Sequence, residues 1–238
     1  MIDVLDHLSI AGSAAEYETL LGRRATDGRL QTGNVGLTFG AGGGGLSSMV
    51  FATSDLDKAA RLLARRAVPS EHQGDRLVLS REATHGVPLE LCECQERPAL
   101  SPLAGSDEAA AISTLDHIVV RTPNPERAIA LYAGRLGLDL RLDRSNPAWG
   151  SRLLFFRCGD LVVEIAHDLR KGVSDGPDHL WGLSWRTPDI AQANARLKAA
   201  GLDVSEPRDG RRPGSQVFTV KNHTEGVPTL VIGGIGRW

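Results

Sequence analysis

The chain has 238 residues, with 27 Lys and Arg against 29 Asp and Glu, and hence a formal net charge of −2. Apolar residues make up 41% and charged residues 24%, which is typical of a globular protein, and the near-neutral charge argues against binding to nucleic acid or an anionic membrane. No apolar run approaches the ~20 residues of a membrane-spanning helix, and residues 1–6 do not resemble a signal peptide. We therefore expect a soluble, cytoplasmic protein.

Two sequence motifs occur twice along the chain. The Leu-Asp-His motif of residues 5–7 recurs at residues 115–117, an offset of 110. The Gly-Val-Pro motif of residues 86–88 recurs at residues 226–228, an offset of 140. The growing offset places extra loop residues in the second copy. Residues 96–112 are rich in Pro, Ser and Ala and predict a linker, so we expect domains at 1–95 and 113–238.

The second copy repeats again within itself. Arg-Thr-Pro at residues 121–123 recurs at 186–188, and a helical pattern follows each copy and ends near Gly137 or Gly201. Strand patterns surround both helices, so the repeating unit is β-α-β-β-β and four units are expected. The predicted strands are 48–53, 115–120, 153–156, 161–165, 180–185, 216–220 and 229–232, and the first half has a predicted helix at 55–66.

Paired β-α-β-β-β units that open on Leu-Asp-His resemble the vicinal oxygen chelate superfamily, which includes glyoxalase I, extradiol dioxygenases, and fosfomycin-resistance and bleomycin-binding proteins. The second half resembles bacterial glyoxalase-like proteins through residues 180–186 and 226–230. The resemblance implies an α+β fold of tandem glyoxalase/bleomycin-resistance-type domains, each of which curves into an open cup. It also implies a divalent metal (Zn, Ni, Mn or Fe) held by His or Glu on the first and last strands of each unit.

The second half carries half of the implied metal ligands. The resemblance assigns His117 and Glu164 as ligands from its first unit, whereas Gly182 and Leu230 occupy the two positions of its second unit. Two protein ligands seldom hold a metal alone. His179, three residues before Gly182, is the candidate for a third ligand. The metal hypothesis therefore takes His117, Glu164 and His179, and a metal-free cup stays open as the alternative.

The first half has the same partial pattern. The corresponding positions hold one His and one Glu together with Thr38 and Ser48; the His and Glu are His7 and Glu90. Because this half lacks the intervening ligands and has shorter loops, we interpret it as a degenerate, mainly structural domain. Its two cysteines, and Cys158 in the second half, form no C-x-x-C motif and are expected to be reduced.

Aromatic residues are candidates for ligand binding in the second half. Trp149 and Trp181 would suit a flat or hydrophobic ligand if they line the cup. Trp181 and Trp185 lie four residues apart on one predicted strand, so they share a face, and core packing is the alternative for both. Arg152 is a candidate for binding an anionic group of the ligand.

These residues support two functional hypotheses. In the first, the resemblance implies a metal-dependent lyase, isomerase or dioxygenase that acts on a small organic molecule with neighbouring oxygens, with Glu164 or His179 as general base. In the second, the chain is a metal-free relative that binds a hydrophobic or aromatic molecule, as in the bleomycin-resistance branch. The expected partner is a small molecule in both, and a homodimer is left open; a vestigial cup in an accessory protein is a third hypothesis.

Overall fold

The computed structural model describes residues 2–105 and 107–234 and has two mixed β-sheets. The strands of the first sheet are β1 (Val4–Ala11), β2 (Arg29–Gln31), β3 (Gly36–Gly40), β4 (Leu46–Thr53), β5 (Ser70–Gln73), β6 (Arg76–Leu79) and β7 (Leu89–Glu93). Those of the second are β8 (Thr114–Arg121), β9 (Asp139–Asn146), β10 (Ser151–Cys158), β11 (Leu161–Asp168), β12 (His179–Arg186), β13 (Arg208–Asp209), β14 (Gln216–Val220) and β15 (Thr229–Gly233). The strand orders are β2-β3-β1-β4-β7-β6-β5 and β13-β14-β15-β12-β8-β11-β10-β9.

Each helix has a side-chain cap at its N-terminus and is followed by a residue with left-handed backbone. The helices are α1 (Ala14–Leu21), α2 (Leu56–Arg65), α3 (Pro125–Ile129) with its π-helical continuation Ala130–Arg135, and α4 (Ile190–Ala199). Ser13, Asp55, Asn124 and Asp189 cap their N-termini by accepting hydrogen bonds from backbone N–H groups of the first turn. The left-handed residue is Gly22, Gly137 or Gly201 in three cases and Ala67 after α2.

The same hydrogen bond starts a parallel strand pair in each half. Met49 N–H donates to Pro88 O at 3.0 Å, and β4 then pairs with β7 from Met49 opposite Leu89 to Thr53 opposite Glu93. Leu183 N–H donates to Pro228 O at 2.9 Å, and β12 then pairs with β15 over Leu183–Arg186 and Thr229–Ile232. The repeated Gly-Val-Pro motif therefore has the same structural role twice, and the predicted α+β fold of repeated units is confirmed.

The chain divides into two compact units. One comprises the residues up to His7, Ser48–Glu96 and Ile118–Trp181, and the other comprises Leu8–Ser47, Arg97–His117 and the residues from Gly182 onward. Each unit contains segments from both predicted domains, and the predicted domain boundaries stay a prediction.

Most of the predicted linker belongs to the compact unit that contains Leu8–Ser47. Arg24 N–H donates to Pro102 O at 2.8 Å, and Ala104 N–H donates to Gly22 O at 2.9 Å. The buried Arg23 guanidinium donates to Ser101 O at 2.9 Å. Residues 101–104 are therefore held by backbone hydrogen bonds and do not form a free connection.

Two tryptophans on β12 have different environments. Trp185 is fully buried, whereas Trp181 is 38% exposed. Core packing therefore describes Trp185 and not Trp181.

Within residues 2–105 and 107–234, none of the helices has the length and apolar character needed to cross a membrane.

We expect Trp185→Ala to lower the free energy of unfolding by roughly 3–5 kcal/mol, because it opens a cavity in a packed core. The matched control Trp181→Ala should cost about 1 kcal/mol or less, since its ring is partly in water. Urea unfolding followed by circular dichroism measures both values. Equal losses in the two variants would contradict the assigned burial.

Candidate functional site

The sheet face that carries Glu164 is apolar and half-exposed. Glu164 on β11 lies directly opposite Phe155 on β10, and Phe155 lies opposite Leu142 on β9. The next row of the same face holds Ala166 and Leu153. Leu142 is 47% exposed, and the other four residues are partly exposed. We call these five residues and Arg144 the Glu164 face.

Arg144 and Trp149 lie together at one end of this face. Arg144 on β9 is directly opposite Leu153, so it belongs to the same face, and it is exposed. Its guanidinium carbon lies 5.3 Å from the ring centroid of Trp149, which is 43% exposed and stands in the 3₁₀ turn Pro147–Trp149. The Glu164 face thus combines a carboxylate, apolar side chains and a cation stacked on an aromatic ring.

The structure does not bring Arg152 to the Glu164 face. Arg152 is adjacent to Leu153 on β10, so its side chain leaves the opposite side of the sheet. There its Nε and Nη2 donate to the Asp143 carboxylate at 2.9 and 2.7 Å, and Nη1 donates to Glu126 at 2.6 Å. These two carboxylates raise the pKa of Arg152 above its ordinary value. Arg152 therefore binds the chain's own carboxylates.

Asp116 orients the imidazole of its neighbour His117, and both residues lie in the compact unit that does not contain Glu164. The Nδ1 atom of His117 lies 2.7 Å from Asp116 Oδ2, and because a carboxylate only accepts, Nδ1–H is the donor. Arg186 Nε donates to the other oxygen of Asp116. An imidazole with Nδ1–H held by a carboxylate has Nε2 as its basic atom, as metal-binding and acid–base histidines do.

Opposing effects act on the pKa of the nearly fully buried Asp116. Burial alone would raise this pKa, but the hydrogen bond and charge of His117 and the charge of Arg186 outweigh it. The pKa of Asp116 therefore lies below its ordinary value. Asp116 stays ionised at neutral pH and keeps its hydrogen bonds to both partners.

The positions implied for a metal do not hold a complete set of ligands. A Cβ atom at Gly182 would lie 2.8 Å from Pro228 O, so the third position has no room for a side chain. The fourth position is Leu230, which has no donor atom. Within the described part of the chain, no three His, Cys, Asp or Glu side chains are grouped as metal ligands. Gly182 and Leu230 therefore do not fit the implied set of four ligands.

His179 and its neighbour Asp178 have different surroundings. His179 begins β12 and is exposed. The Asp178 side chain is buried, and its Oδ1 accepts hydrogen bonds from Thr122 Oγ1 at 2.7 Å and Arg127 Nη2 at 2.8 Å. Asp178 thus belongs to a buried polar cluster and does not support a ligand at position 179.

Trp181 has a surface environment. Its ring is partly exposed, and the guanidinium carbon of Arg121 lies 4.0 Å from the ring centroid. This stacking of a cation on an aromatic face repeats the Arg144–Trp149 pair.

The first half repeats the His–Asp pair without a complete site. His7 Nδ1 donates to Asp6 Oδ2 at 2.6 Å, and the buried Nε2 of His7 has no hydrogen-bond partner among the described residues. Glu90 accepts a hydrogen bond from Arg76 Nη1 at 2.8 Å. The Leu-Asp-His motif is therefore a local carboxylate–imidazole pair in both halves.

Sequence reasoning missed most of the Glu164 face. Leu153 and Phe155 alternate within a predicted strand, so their common side could have been recognised. Leu142 and Arg144 lie on β9, for which no strand was predicted, and a β-bulge beside Phe155 shifts the pairing of β9 with β10. A bulge of this kind has no signal in the pattern of apolar residues.

Comparison with known proteins gives relatives in sequence and in structure. Residues 116–219 match the family model described as the glyoxalase/bleomycin resistance protein/dioxygenase superfamily. An ethylmalonyl-CoA/methylmalonyl-CoA epimerase of Cereibacter sphaeroides is 28% identical over 112 residues, which cover 42% of this chain and 81% of that protein.

Two solved dioxygenases share the fold over the whole chain. A halotolerant catechol dioxygenase has a TM-score of 0.74 and 13% identity, and the match covers 100% of this chain and 89% of that one. A 2,2',3-trihydroxybiphenyl 1,2-dioxygenase of Sphingomonas wittichii has a TM-score of 0.71 and 16% identity, with coverage of 100% and 92%. At these identities the likeness establishes the fold.

We expect Asp116→Asn to lower the free energy of unfolding at pH 7 by about 3–5 kcal/mol, because it leaves Arg186 without its buried carboxylate. The matched control Asp139→Asn removes an exposed partner of Arg141 and should cost less than about 1 kcal/mol. Denaturant unfolding measures both values.

Because folding lowers the pKa of Asp116, the loss of stability in Asp116→Asn should be constant above roughly pH 5 and should shrink as the pH falls through that pKa. A loss independent of pH would contradict this assignment.

Proposed function

We propose that this chain, whose residues 116–219 match the model of the glyoxalase/bleomycin resistance protein/dioxygenase superfamily, is an enzyme that moves a proton on a small carbonyl compound bound to the Glu164 face. The observation that carries the proposal is the position of Glu164, a carboxylate beside apolar side chains on a partly exposed sheet face. The name of the epimerase relative supports this class of reaction.

Glu164 is the proposed acid–base group. A carbon next to a carbonyl group loses a proton to a carboxylate, the C–H electron pair forms an enolate, and return of the proton to the carbon completes the cycle. Phe155 and Leu153 offer apolar surface to the substrate beside the carboxylate. This reaction needs no oxidant and no second substrate.

Arg144 is the proposed binding residue for an anionic group of the substrate. Its strand is two strands away from that of Glu164, a separation of roughly 10 Å at the usual strand spacing. The stacking of its guanidinium on Trp149 restricts the position of the cation. The proposed substrate therefore carries a carboxylate or a similar anion several bonds from the carbon that loses its proton.

The test is deuterium uptake from D₂O, followed by proton NMR, with a panel of 2-oxo acids and acyl thioesters that includes methylmalonyl-CoA. We expect Glu164→Gln to slow exchange by at least about 10²-fold, the usual contribution of general acid–base catalysis. Glu126→Gln removes an exposed carboxylate that binds Arg152 on the opposite side of the sheet, and it should exchange at the wild-type rate. Failure of every compound to exchange, or an unchanged rate in Glu164→Gln, would refute the proposal.

The half-exposed tryptophans favour a second candidate, a binding protein for a flat or hydrophobic molecule. Trp149 and Trp181 are 43% and 38% exposed, and a guanidinium stacks on each ring. In that case a ligand quenches tryptophan fluorescence without exchange, and its affinity falls in Trp149→Ala and Trp181→Ala but not in Glu164→Gln. The enzyme hypothesis instead requires Arg144→Gln to raise KM with little change in kcat.

A further inference from the structure

A separate cleft of about 330 Å³ lies in the unit that contains Ser48–Glu96 and Ile118–Trp181. Its lining includes Ser80, Glu82, His85 and Arg135, and none of its lining residues belongs to β9, β10 or β11. The cleft is therefore distinct from the Glu164 face.

Arg135 reaches the cleft from an irregular helix. It is the last residue of the π-helical segment Ala130–Arg135, whereas α1, the corresponding helix of the first half, is α-helical throughout. π-Helical turns are rare and are frequent at functional sites. The Arg135 guanidinium forms no hydrogen bond or ion pair with another described residue, so its five donors are available to a ligand.

Two residues with left-handed backbone also line the cleft. Ala67 has φ 55° at the end of α2, where the other three helices are followed by glycine, and His85 has φ 56°. A left-handed conformation costs a residue with a Cβ roughly 1–2 kcal/mol. Strain of this kind is often retained at binding sites. The His85 carbonyl is held by Asp178 N–H at 2.8 Å, so the backbone of this turn is fixed.

The charges around the cleft favour an anion. Arg66 Nη1 donates to the backbone O of Arg135 at 2.8 Å, which places a second guanidinium next to the backbone of this lining residue. Burial and then the charges of Arg127 and Arg135 lower the pKa of His85, against an opposing effect of Asp178. Glu82 is the acidic group in the lining, and it is exposed.

We propose that this cleft binds a small oxyanion, a phosphate or carboxylate group, between the guanidinium of Arg135 and the imidazole of His85. Arg135 offers paired N–H donors that match two oxygens of such an anion. A neutral His85 donates one N–H, and the hydroxyl of Ser80 supplies a third donor. The site takes an anion of a few atoms and is independent of the reaction proposed for the Glu164 face.

The test is isothermal titration of the full chain with inorganic phosphate and, separately, with malonate. We expect saturable binding of one anion per chain, and the anion that binds more tightly identifies phosphate or carboxylate as the preferred group. Arg135→Gln should weaken binding at least tenfold. Arg141→Gln removes an exposed arginine that pairs with Asp139 and should bind like the wild type.

A second variant, His85→Asn, distinguishes a loss of anion binding from a folding defect in Arg135→Gln. His85→Asn keeps a residue type that tolerates the left-handed conformation and should weaken binding several-fold. Absence of saturable binding of both anions, or wild-type affinity in folded Arg135→Gln and His85→Asn, would overturn the proposal. Glu164→Gln should bind the anion normally, so failure of the enzyme proposal and failure of this one give different results.

Discussion

The carbonyl oxygen of the proline in each Gly-Val-Pro turn starts the parallel strand pair on which each half is built. Pro88 O accepts from Met49 N–H, and Pro228 O accepts from Leu183 N–H. A left-handed residue precedes each Gly-Val-Pro, His85 at φ 56° and Glu225 at φ 50°. A one-residue shift in strand pairing would turn every side chain of a strand to the other face of the sheet. These hydrogen bonds therefore fix the register of β4 with β7 and of β12 with β15.

The carbonyl that accepts this hydrogen bond in the second half also determines which residue fits at position 182. The residue before the donor is Ser48 in the first half and Gly182 in the second, and at Gly182 the Pro228 carbonyl occupies the space of a side chain. The ligand position implied there cannot project a donor atom. Glu164 remains on an apolar face with Phe155 and Leu153, an arrangement suited to acid–base chemistry on a bound organic molecule.

The repeats predicted the fold better than they predicted the site. Strand β14 was predicted with its observed ends, and α2 within one residue at each end, because their caps and apolar periods are local signals. The surroundings of Glu164 depend on strand register and on the bulge beside Phe155, and the left-handed Ala67 breaks a repeat that otherwise has glycine. Such features arise from contacts distant in sequence, which composition and periodicity do not encode.

The free energy of unfolding of Gly182→Ala shows whether the fold closes position 182 to a side chain. We expect a loss of roughly 1–3 kcal/mol, because the new Cβ would lie 2.8 Å from Pro228 O and the strand must shift. Gly134→Ala is the matched control, since nothing lies within 4 Å of a Cβ there, and it should be neutral or stabilising. Stability of Gly182→Ala equal to that of the wild type would contradict the claim and reopen this position to a metal ligand.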